Sequence, residues 1–94
     1  MFENCSNLTT IDLSSFSPES VESMDNIFEG CTNLKTIYVN EDWDNYDIRE
    51  SHNVFKNCTN LVGGKGTKYN PEHIHSDYAH IDGGNTYPGY FTKK

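Results

Sequence analysis

The sequence has no apolar run longer than three residues, whereas a helix that crosses a bilayer needs about 20. It is poor in positive charge, with seven Lys and Arg against fourteen Asp and Glu for a net charge of −7. That balance argues against nucleic acid and against an anionic membrane surface as partners, and it favours solubility. No charged n-region followed by an apolar stretch comes after Met1, so neither a signal peptide nor an anchor is read in this chain. Phosphate-cradling glycine loops, paired carboxylates and oxyanion-hole motifs are all missing, and the reading is therefore no enzyme and no cofactor. There are only three cysteines, and an odd number makes a poor disulfide framework. The 94 residues suit one small domain, which buries roughly two-thirds or less of the surface it would expose unfolded.

What the chain does have is a phrase. Each cysteine stands inside F-x-[NG]-C-[ST]-N-L, at spacings of 26 and 27 residues. Aligned on Cys5, Cys31 and Cys58, the phenylalanines Phe2, Phe28 and Phe55 coincide, as do Asn7, Asn33 and Asn60, and Leu8, Leu34 and Leu61. Ile11 and Leu13 match Ile37 and Val39 in the first two copies. Self-similarity at 20 to 50 residues marks a repeat architecture, in which one unit cannot bury its apolar side alone and stacking does it.

Each unit carries two periodicities. Met24, Ile27, Phe28 and Cys31 fall at i, i+3, i+4 and i+7, the apolar stripe of a short helix. Ser20 or Ser23 would cap its start, and Gly30 or the recurring asparagine would close it in a left-handed turn. "LKTIYV" then alternates about Ile37 and Val39, as a short strand does. The expected unit is a helical turn, a corner, a strand and a polar return loop. In such a stack the like residues Phe2, Phe28 and Phe55, Cys5, Cys31 and Cys58, and Leu8, Leu34 and Leu61 form ladders. The sulfurs lie about one strand spacing, roughly 4.8 Å, apart as packed, reduced thiols.

F-x-x-C-[ST]-N-L-x-x-I-x-L at this period resembles the BspA-type leucine-rich repeats of bacterial surface proteins. "NLVGGKGTKYN" and "AHIDGGNTYPGYFT" are similar to the closing segment that follows the last repeat in that family. The resemblance implies an α/β repeat solenoid with a short helix, a corner and a parallel strand in each unit of about 26 residues. The period sets a partial unit at 1–13 and units at 14–39 and 40–62, and the turn-rich 63–94 reads as an irregular cap with a β-hairpin, Asp82 to Asn85 forming a turn. The resemblance also implies a place on the cell surface or outside the cell, in the context of a longer protein, and binding to a host or bacterial surface protein.

Several local patterns compete with that reading. His73, His75 and His80 with Asp77 supply zinc-ligand chemistry, but no cysteine is in local reach and nothing marks a closed fourth ligand. Asp42, Asp44 and Asp47 are hard oxygen ligands suited to calcium. The glycine of an EF-hand loop is absent, however, and an acidic return loop around Trp43 accounts for them. Asn4, Asn7 and Asn57 each open a glycosylation triplet at the repeat corner, where turn hydrogen bonding already calls for Asn, Ser and Thr.

With Leu8, Ile11 and Leu13 facing the core, alternation turns Thr10, Asp12, Thr36 and Tyr38 outward, and this is the candidate protein-binding face. Tyr38 is its best anchor. The leading reading is a non-enzymatic interaction module acting in adhesion or cell binding. A structural cap or spacer with partner contacts made upstream is the second, and a small metal- or calcium-dependent domain is the third. An apolar N-terminal end of Phe2, Leu8, Ile11 and Leu13 would either self-associate weakly or fray.

Overall fold

The structure is a computed structural model that describes residues 6–15, 25–41, 43 and 52–94. Two short β-branched stretches become strands where the alternation lies: β1, Thr10–Asp12, and β2, Thr36–Val39. They pair in parallel, with Thr10 opposite Thr36, Ile11 opposite Ile37 and Asp12 opposite Tyr38. A third strand, β3, Phe91–Lys93, lies on the other side of β2, also parallel, with Ile37 opposite Phe91 and Tyr38 opposite Thr92. Ile11, Ile37 and Phe91 thus form one inward row, each at most 3% exposed, because successive residues of a strand point to opposite faces.

The third unit explains why β3 comes from so far along the chain. The amide of Lys35 donates to Thr9 O and that of Val62 donates to Lys35 O, so Thr9, Lys35 and Val62 occupy equivalent places. After Val62 the sequence gives Gly63 and Gly64, which supply no side chain to pack, where Thr36 and Ile37 follow Lys35. The chain turns away there, and Phe91–Lys93 fills the vacant place beside β2. The expected β-hairpin cap is therefore corrected. The tail instead contributes a parallel strand, a lone antiparallel bridge between Val62 and Lys68, and two three-residue 3-10 turns at Ser76–Tyr78 and Gly84–Thr86.

The expected solenoid with a helix in every unit is corrected as well. Among the described residues there is no α-helix, and the architecture is a small three-stranded parallel sheet faced by turns. The stripe at Ile27, Phe28 and Cys31 is real, but it lies on successive β-turns. Glu29 N–H donates to Asn26 O, Cys31 N–H to Phe28 O and Leu34 N–H to Cys31 O, each closing three residues back and not four. Two backbone positions forbid an α-helix. Asn26 and Gly30 have φ of 59° and 81°, the left-handed region that a right-handed helix cannot pass through. The same pair recurs as Asn53 and Asn57, at 58° and 67°. The donors a helix would use internally go instead to the next unit: Asn26 N–H to His52 O, Phe28 N–H to Val54 O and Gly30 N–H to Lys56 O.

The core lies between this layer of turns and the sheet. Phe28 stacks on Phe55 at 5.7 Å between centroids, nearly parallel. Phe55 meets Tyr90 edge-on at 4.9 Å, and Trp43 meets Phe91 edge-on at 5.4 Å. Trp43 closes the side of the sheet and satisfies its indole N–H on Ala79 O at 3.1 Å, as a buried tryptophan requires. Cys31, Leu34, Cys58 and Leu61 are buried with them, whereas Leu8 is 37% exposed. Phe2, Cys5, Met24, Ser20 and Ser23 lie outside the described residues.

Candidate functional site

The outward face of the sheet gathers the four residues proposed from alternation. Thr10 and Asp12 are exposed on β1, and Thr36 and Tyr38 are half-buried on β2. The parallel register sets Asp12, Tyr38 and Thr92 in one row across all three strands. Thr92 is a member that alternation within the repeats could not supply, since β3 lies outside them. The sequence carries no periodic signal for it: in "YFTKK" after Gly89 two apolar residues precede three polar ones, without the alternation of "TIYV".

Lys94 completes the face. Its ammonium pairs with the Asp12 carboxylate, and its backbone N–H donates to Val39 O at 3.0 Å. A side chain just past β3 therefore reaches β1 across the whole width of β2. Lys94 is the first cause, and Ser14 the second, of an Asp12 carboxyl held far below the usual range; the backbone N–H of Ser14 donates to Asp12 Oδ1 at 2.8 Å. The result is a flat strip of hydroxyls around one ion pair, with a tyrosine at its centre. Such a strip can make hydrogen bonds and ring contacts.

Cys58 and two of the histidines are committed to internal hydrogen bonds. Cys58 donates its thiol to Phe28 O at 3.0 Å, and burial, with Cys31 as neighbour, pushes it up to about 12. A thiol held there is not the thiolate that nucleophilic chemistry needs. Of the candidate zinc ligands, His73 lies 2.7 Å from Asp77 and stacks on Tyr78 at 4.2 Å. His75 Nδ1 accepts the backbone N–H of Asn53 at 3.0 Å. His80 is buried, its ring stacked on Tyr87 at 3.9 Å. Three different surroundings take the three histidines, and among the described residues no group of three or more His, Cys, Asp or Glu is placed to hold a metal. Asp42, Asp44 and Asp47 lie outside the described residues.

A buried carboxylate holds the closing segment together. Asp82 is 2% exposed and accepts four hydrogen bonds. Lys65 N–H and Thr67 N–H reach Oδ2 at 2.8 and 3.1 Å, and the Thr67 hydroxyl and Gly84 N–H reach Oδ1 at 2.7 and 2.9 Å. Burial raises its pKa, but the Thr67 hydroxyl and the three backbone donors outweigh that and leave it lowered, because hydrogen bonds to the charged form favour that form. Sequence reasoning saw Asp82 only as a turn residue. In the fold it ties the Gly63–Thr67 loop to the chain leading into β3.

A family model described as "Mycoplasma protein of unknown function, DUF285" matches residues 1–81. No curated protein and no solved structure gives a significant match. No helix among the described residues is long and apolar enough to cross a membrane.

Proposed function

The chain belongs to the DUF285 family, and on that premise we propose that it is a non-enzymatic protein-interaction module of a bacterial surface protein, one that binds a host or bacterial surface protein. The observation that carries the reading is the outward row Asp12–Tyr38–Thr92, flanked by Thr10 and Thr36. It is a flat polar strip around an aromatic ring, the residue type that most often anchors protein interfaces. The likeness of the repeated phrase to BspA-type repeats supports the surface location and an adhesive role. The commitment of Cys58, His75, His80 and Asp82 to internal hydrogen bonds supports a non-catalytic one.

A structural spacer is the competing reading, and the size of the strip favours it: three strands of three or four residues fall short of the roughly 800 Å² per partner of a standard interface. Binding of the purified domain to immobilised extracellular-matrix proteins separates the two. The interaction reading expects saturable binding that Tyr38→Ala weakens about tenfold or more, the loss typical of an aromatic anchor. Absence of binding, or binding indifferent to Tyr38→Ala, Thr10→Ala and Thr36→Ala, leaves the spacer.

A further inference from the structure

Charge is unevenly spread along this acidic chain. Residues 1–52 hold eleven acids and two bases, whereas residues 53–94 hold three acids and five bases. In the fold, two of those bases stand beside one cleft. The cleft has a volume of about 290 Å³ and runs along the outer side of β3. Half-buried Ile81, over the buried Phe91, forms its apolar floor, Gly64, Asp82 and Thr92 line it as well, and Lys65 and Lys93 are its exposed cations. The one carboxylate in the wall is Asp82, whose oxygens already take four donors from the protein. Lys94, the next cation, is paired with Asp12 on the opposite face of the sheet edge. Lys65 and Lys93 are therefore the charges that a ligand in the cleft would meet.

The backbone adds a direction. At Phe91 the outer edge of β3 is closed, since Phe91 N–H donates to His80 O and Phe91 O accepts from Asp82 N–H. Lys94 N–H, by contrast, donates inward to Val39 O. Alternation along a strand therefore aims the N–H and C=O of Lys93 outward, as at Phe91, but beyond the end of the covering segment. An extended chain lying in the cleft would meet an apolar floor, two ammonium groups and one open stretch of strand edge.

We propose that this cleft is a docking site for an extended peptide segment carrying acidic side chains beside apolar ones, presented by a protein partner. Charge complementarity selects the occupant: a basic segment would meet Lys65 and Lys93 head-on, and an uncharged one would leave them unused. Docking along a strand edge is an established mode of peptide recognition, with main-chain hydrogen bonds giving affinity and side-chain pockets giving specificity. The cleft adjoins the Tyr38 strip at Thr92, which belongs to both, but Lys65, Lys93 and Ile81 lie outside that strip, so the proposal stands whether or not the strip binds a partner.

The test uses the whole chain and three acetylated, amidated hexapeptides alternating leucine with glutamate, glutamine or lysine, followed by amide chemical shifts. The Glu-Leu peptide is expected to shift Gly64, Lys65, Ile81, Asp82 and Lys93 saturably at up to millimolar concentration. Binding should weaken about tenfold in K65E/K93E, as expected when two exposed charge pairs are reversed, and should be unchanged in Tyr38→Ala. Retained native shifts elsewhere in K65E/K93E establish that the variant is folded. Failure of the Glu-Leu peptide to bind, equal binding of the Lys-Leu peptide, or shifts centred on Tyr38 would each overturn the proposal. None of those results would alter a matrix-binding measurement made on the Tyr38 strip.

Discussion

The side-chain amide of Asn60 donates to the backbone carbonyl of Thr32 at 2.9 Å, 28 residues earlier in the chain. Asn33 makes the same bond to Ser6 O at 2.7 Å. The asparagine of the repeated phrase is thus an inter-unit tie, anchoring each corner to the unit before it. Asn60→Ala should cost about 1 kcal/mol, the usual net worth of one such hydrogen bond. Asn60→Asp, which keeps the shape but loses the donor, should cost at least as much. Urea denaturation midpoints check both, and an unchanged midpoint for Asn60→Asp would show that the tie contributes nothing.

The stacked pair Phe28 and Phe55 fills the centre of the core, both rings fully buried. Phe28→Ala should destabilise by about 3–5 kcal/mol, which is most of the stability of a domain this small. Phe55→Ala should cost no less, because its ring also meets Tyr90 and Phe91. Loss of the cooperative unfolding transition in either variant is the expected readout. A smaller effect at Phe55 than at Phe28 would contradict this packing.

Two glycines of the closing loop should answer differently to the same substitution. A Cβ on Gly63 would stand 2.1 Å from Gly89 O and 2.6 Å from Asp82 Oδ2, so Gly63→Ala must move backbone and break the Asp82 cage. A Cβ on Gly66 meets nothing within 4 Å; only its φ of 94° opposes the change, at a cost of about 1–2 kcal/mol. Thermal melting of the two variants should therefore rank Gly63→Ala well below Gly66→Ala.

Asp82 gives the closing segment an acid sensitivity. Its folded pKa is lowered, so its contribution is whole above the unfolded value, about 3.9, and fades as pH falls through the folded value. Asp82→Asn should lose about 1.5–3 kcal/mol at neutral pH, the range for hydrogen bonds to a charged group, because one carboxylate acceptor becomes an NH2 facing N–H donors. Its stability should also vary less with pH below 4. Denaturation curves at pH 3, 4 and 7 for both proteins decide this.

Cys58 sets the alkaline side. Its usual value of 9.0 is pushed up to about 12, first by burial and then by Cys31. Folding favours the neutral thiol, so stability is whole below the unfolded pKa and falls as pH rises through the window from 9 to 12. Melting temperatures between pH 8 and 10.5 should decline less steeply in Cys58→Ala. With native protein at pH 8, a thiol reagent should modify Cys31 and Cys58 only as fast as the chain opens. Immediate labelling of both would contradict their burial.

Much of the core could be read from the sequence because it is written locally. The alternation of Thr36, Ile37, Tyr38 and Val39 places β2 and decides which side chains face in, and the period of the Phe, Cys and Leu positions marks Phe28, Phe55, Leu34 and Leu61 as interior. What the turn segments become is not written there. A stripe at Ile27, Phe28 and Cys31 fits a helix and also fits a run of three-residue turns. The choice falls to the turns because Asn26 and Gly30 adopt left-handed φ and their amides find acceptors in the next unit. The third strand, the Asp82 cage and the pairing of Lys94 with Asp12, 82 residues apart, leave no periodic trace. Each joins segments whose spacing in the chain obeys no repeat, so only the folded chain brings together the parts of the sheet face and of the cleft beside β3.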